Sequence, residues 1–155
     1  MACSNGKTLP GCENPVLRLT CSVPARLQAF EEVRALIEQF AASAVLVRED
    51  RHKLTLIVEE LFTNTVNHGD AGEGEAVVCV TLEEDTGYVR LIFEDTAPQF
   101  DPLAAGGLGD PTISITERRI GGLGLFLALG LTQHADYSYA DGRNRLRLRF
   151  TPTRS

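Results

Sequence analysis

Three separated groups of residues in this chain carry chemistry. In the first, Glu60, Asn64 and Asn67 stand at i, i+4 and i+7, which on a helix sets one carboxylate and two carboxamides along a single stripe. A polar stripe on an amphipathic helix is ordinarily a solvated face. Two asparagines weigh against that, because Asn is a poor helix former where solubility alone matters. The second group is Asp95, which closes a run whose inward residues are Val89, Leu91 and Phe93. Its carboxylate could fix a base by accepting from an exocyclic amine, or it could simply start a turn. The third is Gly121-Gly122-Leu123-Gly124, ahead of Leu125-Phe126-Leu127. A glycine turn that opens a helix lets backbone N–H groups approach phosphate oxygens. Arg118 and Arg119, just upstream, offer fork donors to a terminal phosphate, or form a solvated pair. In this order the three groups read as a nucleotide site.

Other motifs fail on spacing. Gly6-Lys7-Thr8 has the end of a phosphate loop, but the position that needs the first glycine is Met1. A dinucleotide pattern starting at Gly122 would need glycine where Leu127 stands, and no strand directly precedes it. No Ser-His-Asp set is legible, and His52, His68 and His134 have no cysteine at metal-ligand spacing.

The segments that carry these residues show clear periods. Val16 to Val23 alternates as a strand, and Pro24 suits a first helical turn. Leu27, Phe30, Val33, Ile37, Phe40 and Ala44 then form the apolar stripe of a helix ending near Ser43. A second helix is expected from about Glu49 to Asn67, burying Leu54, Ile57, Val58, Leu61 and Thr65, with Gly69 to end it. After the loop 69–74 the period becomes two. Ala76–Leu82 and Tyr88–Glu94 predict a hairpin around Asp85-Thr86-Gly87, and Ala135–Ala140 and Arg143–Thr151 another around Asp141-Gly142. Residues 96–120 lack periodicity and are expected to form a lid. A helix should follow from the glycine turn to about Gln133. Residues 1–15 are rich in turn formers and read as a flexible arm before one domain at 16–155. The predicted fold class is α+β: a two-layer sandwich with a mostly antiparallel, mixed sheet and three helices on one face.

Composition narrows the function. Of the 155 residues, 43% are hydrophobic and 23% charged, ordinary for a soluble globular protein, and no apolar run reaches membrane-spanning length. A net charge of −6 argues against direct nucleic-acid binding. Nothing resembles a secretory signal, and Cys3, Cys12, Cys21 and Cys79 lack clamp spacing. Reduced thiols and a cytoplasmic protein, without membrane contact, are therefore expected. Arg143, Arg145, Arg147 and Arg149 alternate with Asn144, Leu146, Leu148 and Phe150. The strand should thus show one basic face, either free for a partner or paired with Glu83 and Glu94 across strands. An open sheet face also makes a homodimer an expectation.

With these residues assembled, the chain resembles the histidine-kinase-like ATPase superfamily, and within it the small anti-sigma-factor serine kinases of bacterial partner switching, from about Val16 to Thr151. The resemblance implies the Bergerat-type fold. It makes Glu60 the general base and Asn64 the magnesium ligand, with Asn67 and His68 lining the phosphates of ATP or ADP. It makes Asp95 the adenine ligand, in a turn where Ala97, followed by Pro98, replaces the family's glycine. Phe100-Asp101-Pro102 and the box Gly121-Gly122-Leu123-Gly124-Leu125 match further motifs, and Arg118 and Arg119 complete the expected nucleotide contacts. The implied substrate is a Ser or Thr on an anti-anti-sigma (STAS-domain) protein, and the implied second partner a sigma factor. A binding module using nucleotide only as a conformational ligand, or not at all, and a detached ATPase domain are the alternatives.

Overall fold

The computed structural model describes residues 17–68, 75–105 and 129–153. Strand β1 (Leu17–Pro24) leads through one 3-10 turn (Leu27–Ala29) into helix α1 (Phe30–Ser43), followed by α2 (Arg48–His68). Strands β2 (Val77–Asp85) and β3 (Tyr88–Asp95), the single-turn helix α3 (Pro102–Ala105), and strands β4 (His134–Ala140) and β5 (Arg143–Phe150) complete the order.

The strands form one sheet in the order β1-β2-β3-β5-β4. The fold is the expected α+β sandwich, with a correction: every pairing is antiparallel, so no mixed element exists among the described strands. The β4–β5 hairpin closes on Asp141 and Gly142 at φ 54° and 71°, the backbone that a two-residue turn with the strands' own twist requires; the β2–β3 hairpin turns on Gly87 at φ 86°, a conformation that glycine accepts freely.

Alternation decides which face is covered. Val78, Val80 and Leu82 of β2, Val89, Leu91 and Phe93 of β3, and Leu146, Leu148 and Phe150 of β5 are buried together. Against them pack Val33, Ile37 and Phe40 of α1 and Leu54, Ile57, Val58 and Leu61 of α2. Phe62 joins them, 1% exposed and 5.3 Å from the Phe30 ring centroid; it sits beside the expected α2 stripe, because two layers of contact, sheet and α1, widen the buried arc. Asp50, in the first turn of α2, is 1% exposed and accepts from the Thr153 backbone N–H at 2.5 Å. That bond fastens the chain after β5 to a helix N-terminus, where a carboxylate is favoured.

The other face is an ion-pair lattice. Glu83, 4% exposed, accepts from Arg18 of β1 and Arg90 of β3, each at 2.9 Å. Glu94 takes Arg145 at 3.1 Å and Arg143 at 3.7 Å, Asp136 takes Arg147 at 3.8 Å, and Arg149 stacks 4.6 Å from the Tyr88 ring centroid. Of the two acids expected to meet the arginine comb, Glu94 does; Glu83 is taken by the strands on either side of β2.

Three local expectations are corrected. Pro24 ends β1 opposite Val77 instead of entering the helix; β1 is an edge strand, where a residue lacking an N–H is tolerated. Gln133 is not helical: Gly130 and Leu131 form a turn, and Gln133 donates to the Arg149 carbonyl and accepts from the Thr151 N–H. Within the expected lid, Asp101 caps α3 by accepting from the Leu103 and Ala104 N–H groups at 2.9 and 3.3 Å, and Pro102 takes the position where a missing N–H costs nothing. The arm 1–15, the rest of the lid and the glycine turn lie outside the described residues. Cys21 and Cys79 are free thiols. Burial first, then Cys79 and Glu32, pushes the Cys21 thiol up to about 11, so it stays protonated and unreactive at neutral pH.

Replacing Phe62 with Ala should cost about 3–5 kcal/mol, since it empties a fully buried aromatic site between both helices. Urea unfolding of the variant against the parent measures it.

Candidate functional site

A cleft opens between the C-terminal half of α2, the end of β3 and the adjoining ends of β4 and β5. Its walls are largely apolar, formed by Leu61, Phe93, Pro98 and Leu146, with Asn64, Thr65, Asp95, Tyr137 and Asn144 supplying the polar groups. A concave, mostly apolar lining with a few convergent polar atoms is the usual makeup of a small-molecule site.

Asp95 reaches this cleft because β3 alternates. Val89, Leu91 and Phe93 face the helices, and Asp95 is the next residue in that phase. Its Oδ1 accepts from the Asn144 Nδ2 at 2.8 Å and the Ala97 N–H at 3.1 Å. Its Oδ2 accepts from the Thr65 hydroxyl at 3.0 Å. That hydroxyl also lies 3.2 Å from the Leu61 carbonyl, but it owns one proton, and its bond to the Asp95 carboxylate is the shorter of the two. Oδ1 is therefore saturated, and Oδ2 keeps an acceptor position unspent.

Asn144 is the partner directly opposite Asp95 in the β3–β5 register and is only 7% exposed. Its Nδ2 also donates to the carbonyls of Ala97 and Pro98, both at 3.1 Å. Its Oδ1 accepts from the Phe100 N–H at 3.0 Å and the Tyr137 hydroxyl at 2.5 Å. Acceptors on one side and donors on the other fix the orientation of the amide. Burial raises the Tyr137 phenol above its ordinary value; Asp101 and Asp95 add to this, and the Phe100 N–H partly opposes it. The phenol therefore remains a donor well into alkaline pH.

Of the residues singled out in the sequence, Asn64, Asp95, Ala97 and Phe100 line or flank this one cleft. Ala97 is buried, and the Phe100 ring is 45% exposed at its mouth. Glu60 is half-buried on α2 one turn before Asn64, outside the lining, and Asn67 is exposed near the helix end. His68 is the last residue of α2, with its side chain outside the described set. Arg118, Arg119 and Gly121-Gly122-Leu123-Gly124-Leu125 also lie outside the described residues. Thr65, Tyr137 and Asn144 are the members that sequence reasoning missed as site residues. A signal existed for Asn144: it is the one amide in the apolar phase Asn144, Leu146, Leu148, Phe150, and a polar residue in a buried register needs partners.

The model of the histidine kinase-like ATPase domain matches residues 23–150. The chain belongs to that family. Its fold is similar to that of the crystal structure of the RsbU and RsbW domains of Rv1364c from Mycobacterium tuberculosis, with a TM-score of 0.59 and 22% sequence identity over 91% of this chain. The match covers 34% of that chain, so this family member spans about a third of the length of its structural neighbour. No curated protein matches the sequence. No helix among the described residues is long and apolar enough to cross a membrane.

Thr65→Val should destabilise the fold by about 1–3 kcal/mol, because it leaves Asp95 Oδ2 facing a methyl group in a half-closed cleft. Denaturant unfolding of the two proteins at neutral pH is the check.

Proposed function

We propose that the chain is an ATP-dependent serine/threonine protein kinase of a bacterial partner-switching system, cytoplasmic, which phosphorylates a STAS-type anti-anti-sigma protein and sequesters a sigma factor. The observation that carries this reading is the meeting of Asn64 of α2 and Asp95 of β3 in one apolar-walled cleft, within a chain of the ATPase family.

The donor set fits an adenine nucleotide. Leu61, Phe93 and Leu146 offer apolar contact to a base, and Asp95 Oδ2, an acceptor with capacity to spare, suits an exocyclic amine. Magnesium fits a sparser set, since it keeps several waters and takes few protein ligands beside phosphate oxygens. Among the described residues no three His, Cys, Asp or Glu side chains converge on one point, so the Asn64 carboxamide oxygen would be the chain's contribution there. Magnesium-ATP, when bound, supplies the transferable phosphoryl group and the charge that neutralises it.

The chain's own residues then do three things. The cleft walls exclude water and orient the base. Asn64 faces the phosphate side from α2. Glu60, one helical turn earlier, is the group that would accept the proton of an incoming serine or threonine hydroxyl. In this proposal Asn67, His68, Arg118, Arg119 and the segment Gly121–Leu125 hold the phosphates, a role resting on the sequence alone. Such transfers depend chiefly on positioning and electrostatics.

One observation favours a second reading, a binding module that docks its partners without catalysis. The turn after Asp95 carries Ala97 and Pro98 where the resemblance shows glycine, and its backbone groups are taken by Asp95 and by Asn144 of β5.

Glu60→Gln should lower phosphotransfer to the cognate partner by about 100-fold or more. Calorimetry should give the variant nearly the parent's affinity for magnesium-ATP, because a proton acceptor acts in the transition state and not in ground-state binding. Undiminished transfer would refute the base assignment. Absence of heat with both magnesium-ATP and magnesium-ADP would leave the binding module.

A further inference from the structure

The turn Ala97–Phe100 cannot close by itself. Pro98 has no N–H, and the backbone groups of this stretch are met by side chains: the Ala97 N–H by Asp95, and the Ala97 and Pro98 carbonyls and the Phe100 N–H by Asn144. A single carboxamide thus serves five groups on β3, β4 and the turn, with Asp95 and Tyr137 completing the set. Its two N–H groups and both oxygen lone pairs are all engaged, so it has one stable orientation.

That orientation has a consequence for Asp95. With Nδ2 at 2.8 Å, Asn144 and the Ala97 N–H occupy Oδ1 completely. Only Oδ2 retains acceptor capacity, and Thr65 holds that oxygen from the α2 side. A carboxylate tethered at both oxygens cannot rotate to turn a different edge to a ligand, nor swing away to make room for one. An acceptor fixed in this way suits an amino group and repels a carbonyl oxygen, whose lone pairs meet its own.

Resting on the nucleotide reading above, we propose that Asn144 is a positioning residue for base selectivity, locking Asp95 and the Ala97–Phe100 turn so that the cleft takes a 6-aminopurine and refuses a 6-oxopurine. Asn144 touches no base in this scheme; it acts through Asp95. Tyr137 supports it from β4 by donating its hydroxyl to the Asn144 Oδ1 and filling that oxygen's last acceptor site. Freed of these tethers, Asp95 can reorient and the turn can open, and the two purines become more nearly equal.

The test is the ratio of dissociation constants for magnesium-GTP and magnesium-ATP, by calorimetry on the full chain, for the parent, Asn144→Leu and Tyr137→Phe. The parent should favour ATP by roughly tenfold or more, since a site built to hydrogen-bond one group rejects the analogue lacking it. Asn144→Leu, of similar volume and without hydrogen bonds, should bring the ratio to within about threefold of unity. Tyr137→Phe removes one donor from a half-exposed edge-strand side chain and should lower the ratio several-fold at an unchanged unfolding midpoint. A merely structural role would weaken both nucleotides together and leave the ratio where it was. If Asn144→Leu does not fold, Tyr137→Phe decides alone. A parent ratio preserved in the folded variants overturns the role of Asn144 and leaves the nucleotide reading standing; a parent that binds neither nucleotide removes that reading and the inference with it.

Discussion

The cross-strand pair of Asp95 and Asn144 is the constraint on which the cleft depends. Two polar side chains sit at the end of a buried, otherwise apolar register, 2.8 Å apart. Leaving either unpaired there would cost more than a typical hydrogen bond contributes. The surrounding chain is shaped to meet that demand: Thr65 is turned toward Asp95 from α2, the turn after β3 folds back onto the amide, and Tyr137 reaches over from β4. The apolar walls around this network lower the local dielectric and strengthen each of its bonds.

The layers around the pair explain its rigidity. On the helix side, α1 and α2 cover a sheet whose central strands bury Val80, Leu82, Leu91 and Leu148 almost completely. On the other side, arginines and acids from all five strands pair across the sheet. Arg18, Glu83 and Arg90 link β1, β2 and β3, and Glu94 with Arg145, and Asp136 with Arg147, link β3, β5 and β4. Single exposed pairs contribute little, but a lattice of this kind fixes register, because a slip of one residue would bury every arginine and expose the core. The register in turn keeps Asn144 opposite Asp95.

Helix α2 is the other half of the site. Its apolar stripe, Leu54, Ile57, Val58 and Leu61, lies on the sheet, so the neighbouring stripe with Glu60 and Asn64 falls at the edge of the layer, where it is neither fully buried nor free in solvent. In the proposed reading, base recognition at one end and proton transfer at the other fall to two elements, β3 and α2, that share a core.

The sequence by itself determined the elements and their faces. The period of 3.6 in 30–43 and 48–68 and the period of two in 77–85, 88–95, 134–140 and 143–150 are local consequences of which side chains must leave water. The hairpin turns at Thr86-Gly87 and Asp141-Gly142 follow from backbone conformations that few residues accept. Asp95 and Asn64 stood out because their types were unusual for their surroundings. Only the tertiary structure decided that β3 pairs with β5 and not with β4. That non-local choice brings Asn144 to Asp95 across 49 positions of chain, and Tyr137 and Thr65 with it. No local period encodes it, because strand order is set by how several amphipathic faces cover one another at once.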